Sequence, residues 1–318
     1  MLLVDRKHRP GSVLALALTG VALAVAGCRP APESRPVPAS EAAPTAAAPV
    51  RPVTMSVAAE PAIAEPAVVE SAAVAPGGAL TLLWRLLPAS DWHLYWSGRN
   101  DSGFAPRVKL DLPPGWSAGP LQWPTPVRLV SAGDILDHVY HGELVLVQEI
   151  TAAVDAVPGR NVVLTADWQW LACRDSCVPG RDTLRVSVAV VATARPAAPS
   201  PALVDARARL PRPLPADLVR TVWDGATLRV HREGPAAGTA AGRLTFMPAE
   251  DCGDLADLLH DGVGPSLALR LTPRDGRVGP VRGLLVLEGA TGPVSAFVLD
   301  VPAVPWTASP DNESLTGG

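Results

Sequence analysis

The chain has 318 residues, among them 35 prolines and 27 glycines, and its 27 Lys and Arg against 31 Asp and Glu give a formal net charge of −4. Beyond the first 28 residues there is no basic block, so there is no nucleic-acid footprint and no nucleic-acid partner is expected. Met1, Met55 and Met247 are the only methionines, too few for a soft copper site, and neither a metal nor a cofactor is expected.

The first 28 residues read as a targeting segment. Arg6, Lys7 and Arg9 form a basic start, and Ser12 to Ala26 is an apolar run too short to span a bilayer comfortably. It closes on Val25-Ala26-Gly27-Cys28, which resembles the bacterial lipobox. That resemblance implies lipidation of Cys28, a membrane partner through the lipid, and the periplasmic face of the envelope. With Arg29 following, it implies the outer membrane rather than the inner. Such an exported compartment lets disulfides persist. Residues 29–77 are rich in Pro and Ala with no sustained alternation, and are expected to be a disordered tether.

The folded part is expected to begin at Gly78. Leu80, Leu82, Trp84 and Leu86 alternate with Thr81 and Arg85, and Val108, Leu110 and Leu112 with Lys109 and Asp111. Leu144–Ile150, Val162–Ala172 and Thr183–Val190 complete a set of short strands between turn clusters, the pattern of an all-β antiparallel sandwich. Within Val162–Ala172, the residues Leu164, Ala166, Trp168, Trp170 and Ala172 share one face, which leaves Cys173 on the more polar, outward one. Cys177 follows four positions later. A straight strand would separate the two by about 13 Å, at about 3.3 Å per residue, whereas a disulfide needs Cα atoms within about 4.4–6.8 Å. Pairing therefore requires a turn, which Arg174-Asp175-Ser176 can supply at the tip of a hairpin. The residues alone leave three readings open: a staple worth only about 2 kcal/mol for so short a loop, half of a zinc site, or a redox-active pair.

Four blocks carry a resemblance. His93-Leu94-Tyr95-Trp96 with Asp101-Ser102-Gly103, Gln122-Trp123-Pro124-Thr125-Pro126, Tyr140-His141-Gly142-Glu143, and Trp170-Leu171-Ala172-Cys173-Arg174-Asp175-Ser176-Cys177-Val178-Pro179-Gly180 occur in this order over residues 79–192. Together they resemble the N-terminal periplasmic domain of DsbD-type thiol:disulfide interchange proteins, in its ScsB-like variant. The resemblance implies an immunoglobulin-like β-sandwich over residues 78–192 in which Cys173 and Cys177 are the catalytic pair. It further implies that Cys177 makes the mixed disulfide. It places a cap loop at Asp134–His141, with Asp137, His138, Val139 and Tyr140 over the pair and Val139 where the family has an aromatic. Asp137, His138 and His141 would assist proton transfer if that loop covers the sulfurs, and Arg174 and Arg181 would favour a thiolate that Asp175 opposes. His93 and Trp96 read as a structural aromatic corner. Roles in copper tolerance or cytochrome c maturation come with the resemblance.

A second, smaller β-rich domain is expected over residues 200–306, with a short helix at Ala202–Leu210, strands from Thr227 onward, and a flexible tail at 307–318. It shows no catalytic constellation, and Cys252 is left as a free cysteine. No later apolar run is long enough to cross a membrane, so a redox-active chain is expected to depend on separate partners. These are a DsbD/CcdA-like membrane reductase or a thioredoxin-like periplasmic protein, with oxidised envelope proteins as substrates. The alternative is a non-catalytic envelope binding module whose disulfide is a staple.

Overall fold

The structure, a computed structural model, describes residues 52–60, 62–64, 72–196, 198–233, 242–288 and 295–306. The expected signal segment, the lipobox at Cys28 and the tail at 307–318 lie outside these residues. In chain order the first part of the chain contains β1 (Val53–Glu60), β2 (Ala62–Ala64), β3 (Ala72–Val74), β4 (Ala79–Pro88), β5 (His93–Tyr95), β6 (Arg107–Asp111), β7 (Ser117–Ala118), β8 (Val127–Ser131), β9 (Ile135–His141), β10 (Leu144–Thr151), β11 (Asn161–Cys173) and β12 (Cys177–Val190), which apart from β2 form two sheets. One sheet runs β1-β4-β10-β7. The other runs β3-β12-β11-β5-β9-β8, with β6 also on β11. The fold is an all-β, immunoglobulin-like sandwich.

The core between the two sheets follows the alternation. Leu80, Leu82, Trp84 and Leu86 of β4 and Leu144, Leu146 and Ile150 of β10 meet Leu164, Ala166, Trp168, Trp170 and Ala172 of β11. Trp84 and Trp168 join the sheets edge to face at 5.5 Å between ring centres, a geometry that adds to area burial. Trp84 Nε1 donates to Gln148 Oε1 at 2.9 Å, so this polar group is buried with a partner.

The structure departs from the expected layout in three places. First, the sandwich begins well before Gly78. All of β1 pairs antiparallel with β4, from Val53 opposite Pro88 to Glu60 opposite Thr81, and β3 pairs parallel with β12. Val53 and Met55 point into the core while Thr54 and Ser56 are exposed. Second, the helix after the sandwich, α1 (Pro201–Ala208), packs on the sandwich. Its Leu203 and Ala206 cover Leu83, Val145 and Val147, the outer face of the first sheet. Ser200 caps it, its Oγ accepting from Leu203 N at 3.1 Å. Third, β5, β8 and β9 stand where the alternation marks no strand.

Past β13 (Ala194–Pro196) the second sandwich contains β14 (Arg212–Pro213), β15 (Val219–Asp224), β16 (Thr227–Arg232), β17 (Arg243–Pro248), the four-residue α2 (Leu258–Asp261), β18 (Val263–Gly264), β19 (Leu267–Arg270), β20 (Arg277–Val278), β21 (Val281–Glu288), β22 (Ser295–Val301) and β23 (Val304–Pro305). A five-stranded sheet β14-β22-β21-β17-β18 faces a three-stranded sheet β15-β16-β19 around Leu228, Val230, Phe246, Leu269 and Leu285. The opposite face of the larger sheet is also buried: Met247, Leu284, Val286 and Ala296 join the core cluster of the first sandwich. A strand buried on both faces reads as a continuous apolar run, which explains Leu284-Leu285-Val286-Leu287. Among the described residues no helix is long and apolar enough to cross a membrane.

Candidate functional site

The longest strand pairing among the described residues is the β11–β12 hairpin, which runs from Asn161 opposite Ala189 to Cys173 opposite Cys177. Only Arg174, Asp175 and Ser176 lie beyond it. The cysteines form the last cross-strand pair, with Cα atoms 4.1 Å apart and a disulfide between them. Trp170 stands opposite Gly180, and a side chain at Gly180 would overlap the Trp170 ring, so the tip needs glycine there. The two sulfurs differ in access. Cys177 is exposed, while Cys173 is 3% exposed.

The burial of Cys173 corrects the expectation that it faces solvent. Its face of the sheet is the outer one, but at this end Tyr95 and Val139 cover it, with Leu129 and Leu171 beside them. Tyr95 reaches further. Ser102 Oγ donates to Asp137 Oδ2 at 2.5 Å, so its oxygen accepts from the Tyr95 hydroxyl at 3.0 Å. The Tyr95 oxygen then stands 3.7 Å from Cys177 Sγ. Asp137, 2% exposed, also accepts from Ser102 N at 3.0 Å. Burial raises the Tyr95 pKa, the Ser102 bond offsets part of the rise and the Asp137 charge adds to it, so the hydroxyl keeps its proton at neutral pH. Gly103 lets its loop lie flat on the Tyr95 ring, where a Cβ would collide with it.

The region that holds this pair is similar to known proteins. Residues 59–188 match the family model described as thiol:disulfide interchange protein DsbD, N-terminal. The chain carries a DsbD-type N-terminal domain. Among solved structures, the N-terminal periplasmic domain of ScsB from Proteus mirabilis aligns with 79% of this chain and 94% of its own, at 15% identity and a TM-score of 0.50. At that identity the likeness is one of fold. The DsbD N-terminal domain of Neisseria meningitidis in its reduced form aligns with 33% of this chain and 75% of its own, at 16% identity and a TM-score of 0.24. No curated protein matches the chain.

Within this DsbD-type domain the expected cap is a strand, not a loop. Residues 135–141 form β9, so their side chains alternate between faces. Asp137 and Val139 lie on the cysteine face. His138 and Tyr140 lie on the other, where Tyr140 joins the core and donates to Pro124 O at 2.7 Å. His138 is fully buried against Trp96, its Nδ1–H donating to Arg99 O at 2.8 Å. Its Nε2 has no hydrogen-bond partner among the described residues. Of the four expected cap residues, Asp137 and Val139 alone reach the site.

Trp96 packs in the core, and His93 is buried edge to face against Tyr95, 5.2 Å between ring centres. His93 is more than a corner residue, however, because it pairs directly opposite Cys173. His93, Tyr95 and Ser102 are the site residues that sequence reasoning missed: His93 reads there only as part of an aromatic corner, and a three-residue strand buried throughout shows no alternation. Arg174 is held by Asp175 at 2.9 Å and lies 5.4 Å over the Trp92 ring, so its charge is partly neutralised. Cys252 is free and buried in the core of the second sandwich. No cluster of three metal-ligating side chains occurs among the described residues.

Proposed function

We propose that the domain is a thiol–disulfide exchange module whose partner-facing sulfur is Cys177. The observation that carries this is the asymmetry of the pair, one sulfur open to a partner and the other enclosed. In the reduced form the Cys177 thiolate attacks a sulfur of an oxidised partner, whose disulfide breaks and leaves one partner thiolate. The Cys173 thiolate then attacks Cys177 Sγ, the mixed disulfide breaks, and the second partner sulfur departs reduced. The partner gains two electrons and the Cys173–Cys177 bond re-forms. A second dithiol protein must then reopen it, and a DsbD/CcdA-like membrane reductase or a thioredoxin-like protein is the proposed donor.

Oxidised envelope proteins are the proposed substrates, met at the periplasmic face of the envelope with the chain anchored through Cys28, in the outer membrane rather than the inner. Resemblance alone extends this to copper tolerance or cytochrome c maturation. Exchange between sulfurs needs no cofactor.

The exposure difference predicts which variant traps a partner. In Cys173→Ala, Cys177 should accumulate as a mixed disulfide with envelope proteins or with a model disulfide, visible on non-reducing gels and reversed by dithiothreitol. Cys177→Ala should trap little. Equal trapping by both variants, or none by either, would overturn the assignment and leave the disulfide as a staple in a binding module.

A further inference from the structure

Cys173 has a second neighbour that this exchange scheme leaves unused. Cys177 lies opposite Cys173, Cys173 opposite His93, and His93 opposite His141, so these residues form one row across β12, β11, β5 and β9. Residues directly opposite on antiparallel strands share a face, with Cβ atoms about 4.5–5.5 Å apart. His93 therefore flanks Cys173 on the side away from Cys177. Exposure rises outward along the row: Cys173 is 3% exposed, His93 9%, and His141 is open to solvent. The two imidazoles stand edge to face, 5.7 Å between centres.

We propose that His93 is the proton partner of Cys173 and that His141 links it to solvent. This rests on the exchange reading of the pair. When a partner thiolate attacks Cys177 Sγ, the S–S bond breaks and its electron pair leaves on Cys173 Sγ. A thiolate so enclosed is costly, and protonated His93 transfers its proton to it, leaving a thiol and a neutral ring. In the resolving direction neutral His93 takes the proton from the Cys173 thiol. The thiolate then attacks Cys177 Sγ, and the partner's sulfur departs with the electron pair of the broken bond.

The titratable and charged groups around His93 are Cys173 on β11, His141 and Asp137 on β9, and Tyr95 on its own strand. Arg174 and Asp175 pair with each other at the nearby tip. Burial and His141 lower the His93 pKa while Asp137 raises it, and the net lowering favours the neutral ring that resolution uses. The arrangement divides the work. Tyr95, Ser102 and Asp137 stand by the exposed sulfur, and His93 with His141 serves the enclosed one.

The test uses the full-length protein carrying Cys177→Ala, with alkylation of Cys173 by iodoacetamide followed against pH by mass spectrometry of its peptide. Adding His93→Gln should move the midpoint upward by about one pH unit and slow alkylation at neutral pH roughly tenfold, the factor one pKa unit represents. An unchanged midpoint would overturn the proposal. A second measurement needs no variant: in the unsubstituted protein the His93 imidazole, followed by NMR, should titrate at higher pH with the disulfide open than closed. Identical midpoints in the two states would overturn it as well. Neither measurement involves a partner, so this proposal and the trapping of partners at Cys177 fail separately.

Discussion

Cys173 and Cys177 are bonded to each other, yet Tyr95 and Val139 enclose one sulfur while the other meets solvent beside the Tyr95 hydroxyl. The hairpin was legible, because two alternating runs flank a short polar segment whose turn can bring the cysteines together; that they form the exchanging pair came with the resemblance. The burial of Cys173 was not legible, because the side chains that cover it come from β5 and β9, strands too short or too mixed to show their pairing in sequence. His138 illustrates the same limit from the other face. Burial lowers its pKa most and the Arg128 charge adds to that, against opposing contributions from its bond to Arg99 and from Asp137 and Asp101. Its Nδ1 proton is committed to Arg99, and a second proton on Nε2 would find no acceptor among the described residues. Folding therefore holds His138 neutral. Its contribution is fully present above about pH 6.5, the ordinary histidine value, and is lost as pH falls through the lower folded-state value, because the unfolded chain takes up the proton first. Buried His93 acts in the same direction. Tm should fall between about pH 7 and about pH 5, across the histidine range, and His138→Gln should flatten that fall. A wild-type Tm that does not change over this range would contradict the burial of a neutral ring.

At the scale of elements, alternation served where one face meets the core and the other meets water. It was silent about the second contact where both faces are covered. In β4, Leu82 and Trp84 face the core while Leu83 faces α1, so its run Leu82-Leu83-Trp84 carries no periodic signal of the second contact. The early strand β1 was hidden for a different reason. Its inward residues end in Val57 and Ala59, small side chains inside a Pro/Ala-rich stretch, and nothing local distinguishes them from the rest of that stretch. The helix gives a direct check. Leu203 is buried over Leu83, Val145 and Val147, and Leu203→Ala should cost about 2–5 kcal/mol in urea unfolding, the usual range for a buried leucine. A loss below about 0.5 kcal/mol, the level typical of surface substitutions, would show that α1 does not seal this face.

At the scale of the whole molecule, a loop beside the site reaches the second sandwich. Ser102 and Gly103 lie against Tyr95. A few residues earlier the Arg99 guanidinium donates to the Cys252 carbonyl and approaches Asp254 at 3.6 Å, while its backbone N–H donates to Pro248 O at 3.0 Å. Met247, Leu284 and Val286 then close the contact with apolar surface. The loop that positions the Tyr–Ser–Asp chain is thus braced from behind by another β-sheet, which gives the hairpin tip a firm platform while leaving Cys177 open. Nothing in the spacing of Arg99 and Cys252 announces this, since the contact joins residues from separate sandwiches.

On the proposed function this disulfide is exchanged with partners rather than stapling the hairpin. The most direct test is the reduction potential of the Cys173–Cys177 pair in the full-length protein, equilibrated with glutathione and read by thiol alkylation. An exchangeable pair should give a value within about −270 to −120 mV, the range of exchange proteins, reached with the fold intact. A potential below about −300 mV, as structural disulfides show, or a pair that reduces only when the protein unfolds, would contradict it.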